Sequence, residues 1–322
     1  MFSLNIDNSE SADVDLLYDV VVVGAGSAGL TTAIYASRDG WKVLVLEKEA
    51  SGGLAASTHS IENYPGFPDG VDGSKLLEDF HKQAEKFGAL VEEFDGVENI
   101  VKGDDGVFTI TTTEGKNYRG RTVLLATGSE PKKLGITGEA EFYNKGVSYC
   151  ATCDGPLYKD EEVVVIGCGN SGLQEAEILL EYAKKVTFVE FLDHSIAEKV
   201  LQDRVKSHEK TTCMFSHMAT EVKGDNLVSS LVVKSRETDE EIEIPAKAVF
   251  IYVGYKPYTD FVKNLVELDD YGYIVADKHM KTSVPGIYAA GDVVSDNLAQ
   301  VTVAVGDGAK AAVAIREYLQ NL

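Results

Sequence analysis

Along the chain, apolar β-branched runs alternate with stretches of helical spacing, and glycines stand at the joints between them. Residues 18–23 form one such run and read as a parallel strand buried on both faces. Gly24-Ala25-Gly26-Ser27-Ala28-Gly29 follows at once, then a helical stretch to Asp39, then a second strand over 41–46 that ends in Glu47. Strand, glycine turn, helix, strand and terminal acid together make the dinucleotide fingerprint in its working context. Gly24 permits the tight turn, Gly26 lets the backbone approach a pyrophosphate, and Gly29 lets helix and strand pack closely. Glu47 falls where a carboxylate takes ribose hydroxyls, and the helix N-terminus would face the phosphates.

The stretch 52–68 is interrupted by Gly52, Gly53, Pro65, Gly66 and Pro68 and predicts an irregular loop. Asn63, polar among apolar neighbours, could bond a ring edge or simply brace that loop. A helix is expected over 74–87, alternating strands from 90 to 118 with turns at 103–106 and 114–115, and a buried strand over 122–126 closed by Thr127-Gly128. The opening pattern then returns. A strand over 162–166 leads into Gly167-Cys168-Gly169-Asn170-Ser171-Gly172, a helix over 173–182 and a strand over 186–189 that ends in Glu190. The spacing from first glycine to terminal acid is the same in both copies. A helix over 196–207 and short strands up to Ile244 complete the second unit. The strand 249–253 and the turn 254–257 read as a crossing back into the first unit, where 285–292 is a strand ending in a Gly291-Asp292 corner. Residues 300–319 form an alanine-rich last helix.

The 322 residues suffice for two domains, each with its own core. A formal charge of −22 keeps the chain soluble and argues against nucleic acid or an anionic membrane as partner. Residues 1–19 are polar and acidic, without the features of a secretory signal or transit peptide, and no apolar run reaches membrane-spanning length. A cytoplasmic location is expected.

The candidate chemistry sits at Cys150-Ala151-Thr152-Cys153-Asp154. Two cysteines at this spacing can cycle between dithiol and disulfide, and Asp154 can move a proton as the bond opens or closes. The pair could also be half of a zinc site. Structural zinc takes four ligands, however, and the remaining cysteines, Cys168 and Cys213, stand alone. A reducing compartment would keep those two as thiols and favours a redox-active C-x-x-C over a structural one.

GAGSAG at 24–29, SGG at 51–53, ENYPGFP at 62–68, ATG at 126–128, CATCDG at 150–155, GCGNSG at 167–172 and IYAAGD at 287–292 occur in an order that resembles the low-molecular-weight thioredoxin reductases over nearly the whole chain. The resemblance implies an α/β fold of two Rossmann-like nucleotide-binding domains, the second inserted into the first. The expected bounds are 1–127 and 248–322 for the FAD-binding domain and 128–247 for the inserted redox-disulfide domain. It implies that Gly24, Gly26, Ser27, Ala28, Gly29 and Glu47 hold the adenosine diphosphate half of FAD, with Val97 at the adenine. Gly53, Leu54 and Asn63 would line the flavin, Asp292 would bond the ribityl chain, and Gln300 and Val301 would meet the ring. Lys48, Ala126, Gly128 and Gly291 complete the cofactor-contacting set. Cys153 would exchange electrons with the flavin, Cys150 would attack the disulfide of thioredoxin or a thioredoxin-like protein, and Asp154 would serve as acid and base. A homodimer is expected on the same ground, as is rotation of one domain against the other about hinges near Gly128 and residues 246–254.

Two positions depart from the family pattern. Where the family ends its second unit in a histidine and two arginines that clasp the extra phosphate of NADPH, this chain has Glu190, Phe191 and Leu192, followed by His194 and Lys199 as candidate cations. A carboxylate repels a 2′-phosphate but accepts hydrogen bonds from a free ribose, so NADPH is not the expected donor. NADH fits Glu190 and the intact glycine turn. Reduced ferredoxin or a deazaflavin would be the donor if the second site is scaffold only, as in the deep-branching subgroup that lacks this clasp. Ala299 stands where the family has arginine before the glutamine, which bears on the coupling of rotation to nicotinamide access. The expected activity is FAD-dependent thioredoxin-disulfide reduction. The rivals are a dithiol oxidase that hands electrons to oxygen, and an electron-transfer module that docks a redox protein directly.

Overall fold

The computed structural model describes residues 12–58 and 60–322. Most of the acidic start of the chain, on which the expectation about targeting signals rests, lies outside them. The chain divides into two compact units, Met1–Ser129 with Pro257–Leu322, and Glu130–Lys256.

In the first unit, β1 (Leu17–Val23), α1 (Ser27–Arg38) and β2 (Val43–Leu46) form the predicted strand, helix and strand, with β1 and β2 parallel and Val20 opposite Val43. A single turn, α2 (Gly53–Ala56), is followed by α3 (Gly73–Lys86), which Asp72 caps by accepting the Lys75 amide. β3 (Leu90–Glu92) lies parallel to β2, and β4 (Val97–Lys102) pairs antiparallel with β5 (Phe108–Thr112). β6 (Asn117–Leu125) is one strand where the sequence pattern suggests two pieces. Its first residues alternate exposed and buried and pair antiparallel with β5; from Arg119 onward it also runs parallel to β1, and from Thr122 it is fully buried. Gly120 allows that close approach, since a Cβ there would stand 2.7 Å from Val21 Cγ2.

β7 (Ser129–Pro131) marks the first crossing between units. The second unit then runs through β8 (Val147–Ser148), the short turn α4 (Ala151–Asp154), β9 (Glu162–Ile166), α5 (Asn170–Tyr182), β10 (Lys185–Val189), α6 (Lys199–Lys206) and β11 (Thr211–Met214). An antiparallel sheet of β12 (His217–Gly224), β13 (Val228–Ser235) and β14 (Glu241–Pro245) comes next, then β15 (Ala248–Ile251). The main sheet has the order β11-β10-β9-β15-β8, with every pair parallel. β15 corrects the expected boundary after residue 247. It hydrogen-bonds to β9 and β8 inside the second unit, and the chain returns to the first unit only at Pro257. At the crossings, β16 (Tyr255–Pro257) pairs with β7.

Back in the first unit, β17 (Ile287–Ala289) adds to β6 in parallel and α7 (Val301–Leu319) packs with α1 and α3 on one sheet face. Alternate strand residues face opposite ways, as period two requires. Val20, Val22 and Leu124 meet Leu30, Leu77 and Ile315 from the helices, while Val21, Val23 and Leu125 face Ile100, Phe108 and Ile274. The second unit repeats the arrangement: Val163 and Val165 pack on Leu173 and Leu179 of α5, and Val164 and Ile166 pack on Val222 and Leu231 of the antiparallel sheet. Burial on both faces explains why residues 20–23, 123–125, 163–166 and 248–251 read as unbroken apolar runs.

Candidate functional site

The first unit gathers the predicted dinucleotide residues around the start of α1. Gly24 has φ of 105°, and a Cβ there would meet Ala126 O at 2.4 Å; a Cβ on Gly29 would meet Gly24 O at 1.9 Å. These two glycines are demanded by packing. Gly26 is different, because nothing lies within 4 Å of the place its Cβ would take, and no side chain caps the helix there. The first amides of α1, around the buried Ser27 and Ala28, therefore open onto free room, as a pyrophosphate requires. Glu47 is buried at the end of β2; its Oε2 accepts the Ala25 amide at 2.7 Å and its Oε1 the Glu49 amide at 3.0 Å. Each oxygen keeps a second lone pair for a ribose hydroxyl.

Of the remaining predicted residues, Gly53, Ala126 and Gly291 border the same turn. A Cβ on Gly53 would lie 3.5 Å from Gly26 Cα, and Leu54 follows it, exposed. Lys48 places Nζ 4.3 Å from the centre of the Tyr258 ring and lies against the backbone of Gly96, next to the buried Val97. Asn63 Nδ2 donates to Gln300 Oε1 at 2.8 Å, joining two residues expected at the ring, and Val301 opens α7 directly after. Ala126 and Gly128 leave the end of β6. A Cβ on Gly291 would stand 3.0 Å from that of Ala28, so the Gly291-Asp292 corner abuts the first turn of α1. Burial, and then the nearby Asp307, hold the Asp292 carboxyl above its ordinary range. Asp307 is itself buried on α7, accepting Asn297 Nδ2 at 2.7 Å and Lys310 Nζ at 3.1 Å, while Asn297 also donates to Gly291 O. An open helix terminus, room at Gly26 and an acid at the end of β2 fit an adenine dinucleotide such as FAD.

In the second unit Cys150 and Cys153 are joined by a disulfide, with 5.3 Å between their Cα atoms. The intervening residues take a helical turn, so the Cys153 amide donates to Cys150 Sγ at 3.1 Å, and the Cys150 amide donates to Ser148 Oγ. Cys153 is exposed; Cys150 and Asp154 are half-buried. The approach to the pair is pinned by buried Glu139, which accepts the amides of Leu134, Gly135 and Ile136 and the Tyr149 hydroxyl.

The second glycine turn repeats the first. Cβ atoms on Gly167 and Gly172 would meet Tyr252 O and Gly167 O, each at 2.1 Å, whereas one on Gly169 would have Ile196 Cγ1 as nearest neighbour at 4.0 Å. Glu190 Oε2 accepts the Cys168 amide at 2.6 Å and its Oε1 the Leu192 amide at 3.0 Å, as Glu47 does for Ala25 and Glu49. The segment after it is tied to the turn by Ser195 Oγ donating to Cys168 O and by the Glu198 amide donating to Asn170 Oδ1. Those bonds hold residues 195–198 outside α6, which starts later than the sequence pattern suggests. The two expected cations both pair with acids, His194 with Asp193 and Lys199 with Asp203. A third cation comes from elsewhere: Arg236 lies over the Phe191 ring at 3.7 Å and donates to Phe191 O.

Sequence reasoning missed Arg236, Asp307, and the contacts of Glu175 and Tyr252 with Ala151. Asp307 had a signal, a charge on the buried face of an alanine-rich helix. The others had none, since their partners lie 24 to 101 residues away.

A model of the pyridine nucleotide-disulphide oxidoreductase family matches residues 18–308. A thioredoxin reductase from Treponema pallidum is 42% identical over 305 residues, 95% of this chain and 98% of its own. The crystal structure of T. acidophilum thioredoxin reductase matches with a TM-score of 0.89 at 43% identity, over 95% of this chain and 99% of that one. A ferredoxin-flavin thioredoxin reductase from Clostridium acetobutylicum matches with a TM-score of 0.52 at 31% identity, over 95% and 99%.

Proposed function

The chain belongs to the low-molecular-weight thioredoxin reductases of the pyridine nucleotide-disulphide oxidoreductase family, and on that premise we propose that it passes two electrons from a donor other than NADPH, through FAD, to the Cys150–Cys153 disulfide and on to thioredoxin or a thioredoxin-like protein. The observation that carries this reading is the disulfide itself, closed across one helical turn and followed by Asp154 in a unit built on the nucleotide-binding plan.

FAD, when bound, supplies the two-electron reductant. The open amides of α1 and the room at Gly26 would take its pyrophosphate, Glu47 its ribose, and Asp292 its ribityl hydroxyls. Gly53, Leu54, Asn63, Gln300 and Val301 would border the ring. Two electrons and two protons convert the disulfide to the dithiol. The Cys150 thiolate then attacks the partner's disulfide, forming a mixed disulfide and releasing one partner thiolate. Cys153 displaces the second partner thiolate and the Cys150–Cys153 bond is restored, with Asp154 passing the protons.

The choice of donor rests on Glu190. Its buried carboxylate holds the turn at the end of β10, so a 2′-phosphate would meet negative charge there. NADH would meet a hydrogen-bond acceptor instead, and the likeness to a ferredoxin-flavin enzyme supports ferredoxin as the other donor. Arg236 is the observation that favours NADPH, because it brings a guanidinium to Phe191. Anaerobic stopped-flow bleaching of the flavin by NADPH, NADH and reduced ferredoxin, each alone, decides the matter. NADPH is expected to be slower than NADH or ferredoxin by at least about tenfold, the worth of one lost charge contact. Fast bleaching by NADPH contradicts the donor assignment and gives Arg236 the phosphate-binding role.

A further inference from the structure

Behind the C-x-x-C turn lies a pair of oxygen groups that the proposed cycle does not use. Tyr252, just past the end of β15, is 7% exposed, and its hydroxyl oxygen accepts the Ala151 amide at 2.8 Å. The same hydroxyl donates to Glu175 Oε2 at 3.4 Å, and that carboxylate oxygen also accepts from the Ala151 amide at 3.2 Å. Ala151 is wholly buried. Groups from α5 and from the end of β15 thus converge on the peptide that joins Cys150 to Ala151.

The arrangement has an electrostatic consequence. Backbone amides that follow the first cysteine of such a turn are natural donors to its sulfur, and they stabilise it when it is charged. The Cys153 amide does this. The Ala151 amide does not, because Tyr252 and Glu175 have taken it. A carboxylate is also fixed within hydrogen-bond distance of the Cys150–Ala151 peptide. Breaking the S–S bond puts negative charge on sulfur until a proton arrives, and a carboxylate nearby disfavours that state. Burial, and then the charge of Glu175, hold the Tyr252 phenol well above its ordinary range, so it remains a donor to Glu175 at working pH.

We propose that Glu175, held in place by Tyr252, is a positioning residue that sets the reduction potential of the Cys150–Cys153 pair, biasing it towards the disulfide so that the reduced pair is a stronger reductant. This rests on the reading that the pair carries electrons to a partner disulfide. The couple is S–S plus two electrons and two protons giving two thiols; Glu175 is neither oxidised nor reduced and forms no bond to sulfur.

The test uses the flavin-loaded protein, held anaerobically in dithiothreitol buffers of set reduced-to-oxidised ratio at about pH 9, above the ordinary thiol pKa of about 8.5. Free thiols are trapped with iodoacetamide and counted at Cys150 and Cys153 by mass spectrometry. Glu175→Gln is expected to favour the dithiol about tenfold over the unmodified protein, a potential about 30 mV less negative. Tyr252→Phe keeps the carboxylate and removes the hydroxyl that caps it, and is expected to be no easier to reduce than the unmodified protein. If Glu175→Gln does not accumulate in folded form, Glu175→Asp draws the charge back and is expected to shift the same way by less. An unchanged potential in the Glu175 variant, or an equal shift in the Glu175 and Tyr252 variants, overturns the proposal. Thioredoxin takes no part in this titration, so failure here leaves the turnover reading standing. Failure of the unmodified protein to reduce thioredoxin would sink that reading instead.

Discussion

At the scale of single residues, the four cysteines separate into two kinds. Cys150 and Cys153 are joined and reachable, while Cys168 is buried in the second unit's core and Cys213 packs against that core. Burial first, and the Glu190 carboxylate second, push the Cys168 thiol far above its ordinary range. A thiol with a raised pKa stays protonated and unreactive as the pH climbs through 8. In the native protein, iodoacetamide at pH 8 should therefore label Cys168 at least about a hundredfold more slowly than an ordinary free thiol, and at the ordinary rate after unfolding in urea. Peptide mapping reads both rates, and rapid native labelling would contradict the burial. What was legible at this scale was whatever the fingerprint spacing carries: Glu47 and Glu190 each reach an amide 22 residues back. Tyr252, Glu175 and Arg236 were not legible, because their contacts are made by tertiary packing and leave no local pattern.

At the scale of elements, the strand, glycine turn and helix act as one device whose glycines have unequal duties. Gly29→Ala would drive a methyl to within 1.9 Å of Gly24 O, so helix and turn must move apart. Overpacking of this kind costs about 1–3 kcal/mol, and the expected result is a lower melting temperature together with lost flavin. Gly26→Ala meets nothing within 4 Å. Its apoprotein should melt as the unmodified one does, yet retain less flavin, because the methyl takes the room a pyrophosphate needs. Melting of apoprotein and the flavin-to-protein absorbance ratio of purified holoprotein separate the two cases. Equal melting losses would show that the glycines share one structural duty. The helices and strands were mostly readable from period and glycine punctuation. The sequence pattern splits β6 because Arg119 and Arg121 alternate where only one face is covered. The pattern runs α6 too long because apolar spacing cannot show that Ser195 and Glu198 are tied to the glycine turn.

At the scale of the whole molecule, the duplicated nucleotide-type unit and the insertion of the second within the first were legible, since the pattern 24–47 recurs at 167–190. The return crossing comes later than the sequence pattern suggests, at Pro257. An apolar strand such as β15 carries no mark of the sheet it will join, and only its pairing with β9 and β8 assigns it to the second unit. The central claim is that electrons pass from the flavin to the Cys150–Cys153 pair and leave it for a partner disulfide. It is met most directly by adding two electrons per flavin as dithionite under anaerobic conditions, then alkylating and counting thiols at Cys150 and Cys153 before and after oxidised thioredoxin is added. Both thiols should appear on reduction, and both should disappear as thioredoxin thiols form. A flavin that holds the two electrons while the disulfide stays closed, or a dithiol that thioredoxin does not reoxidise, would contradict it.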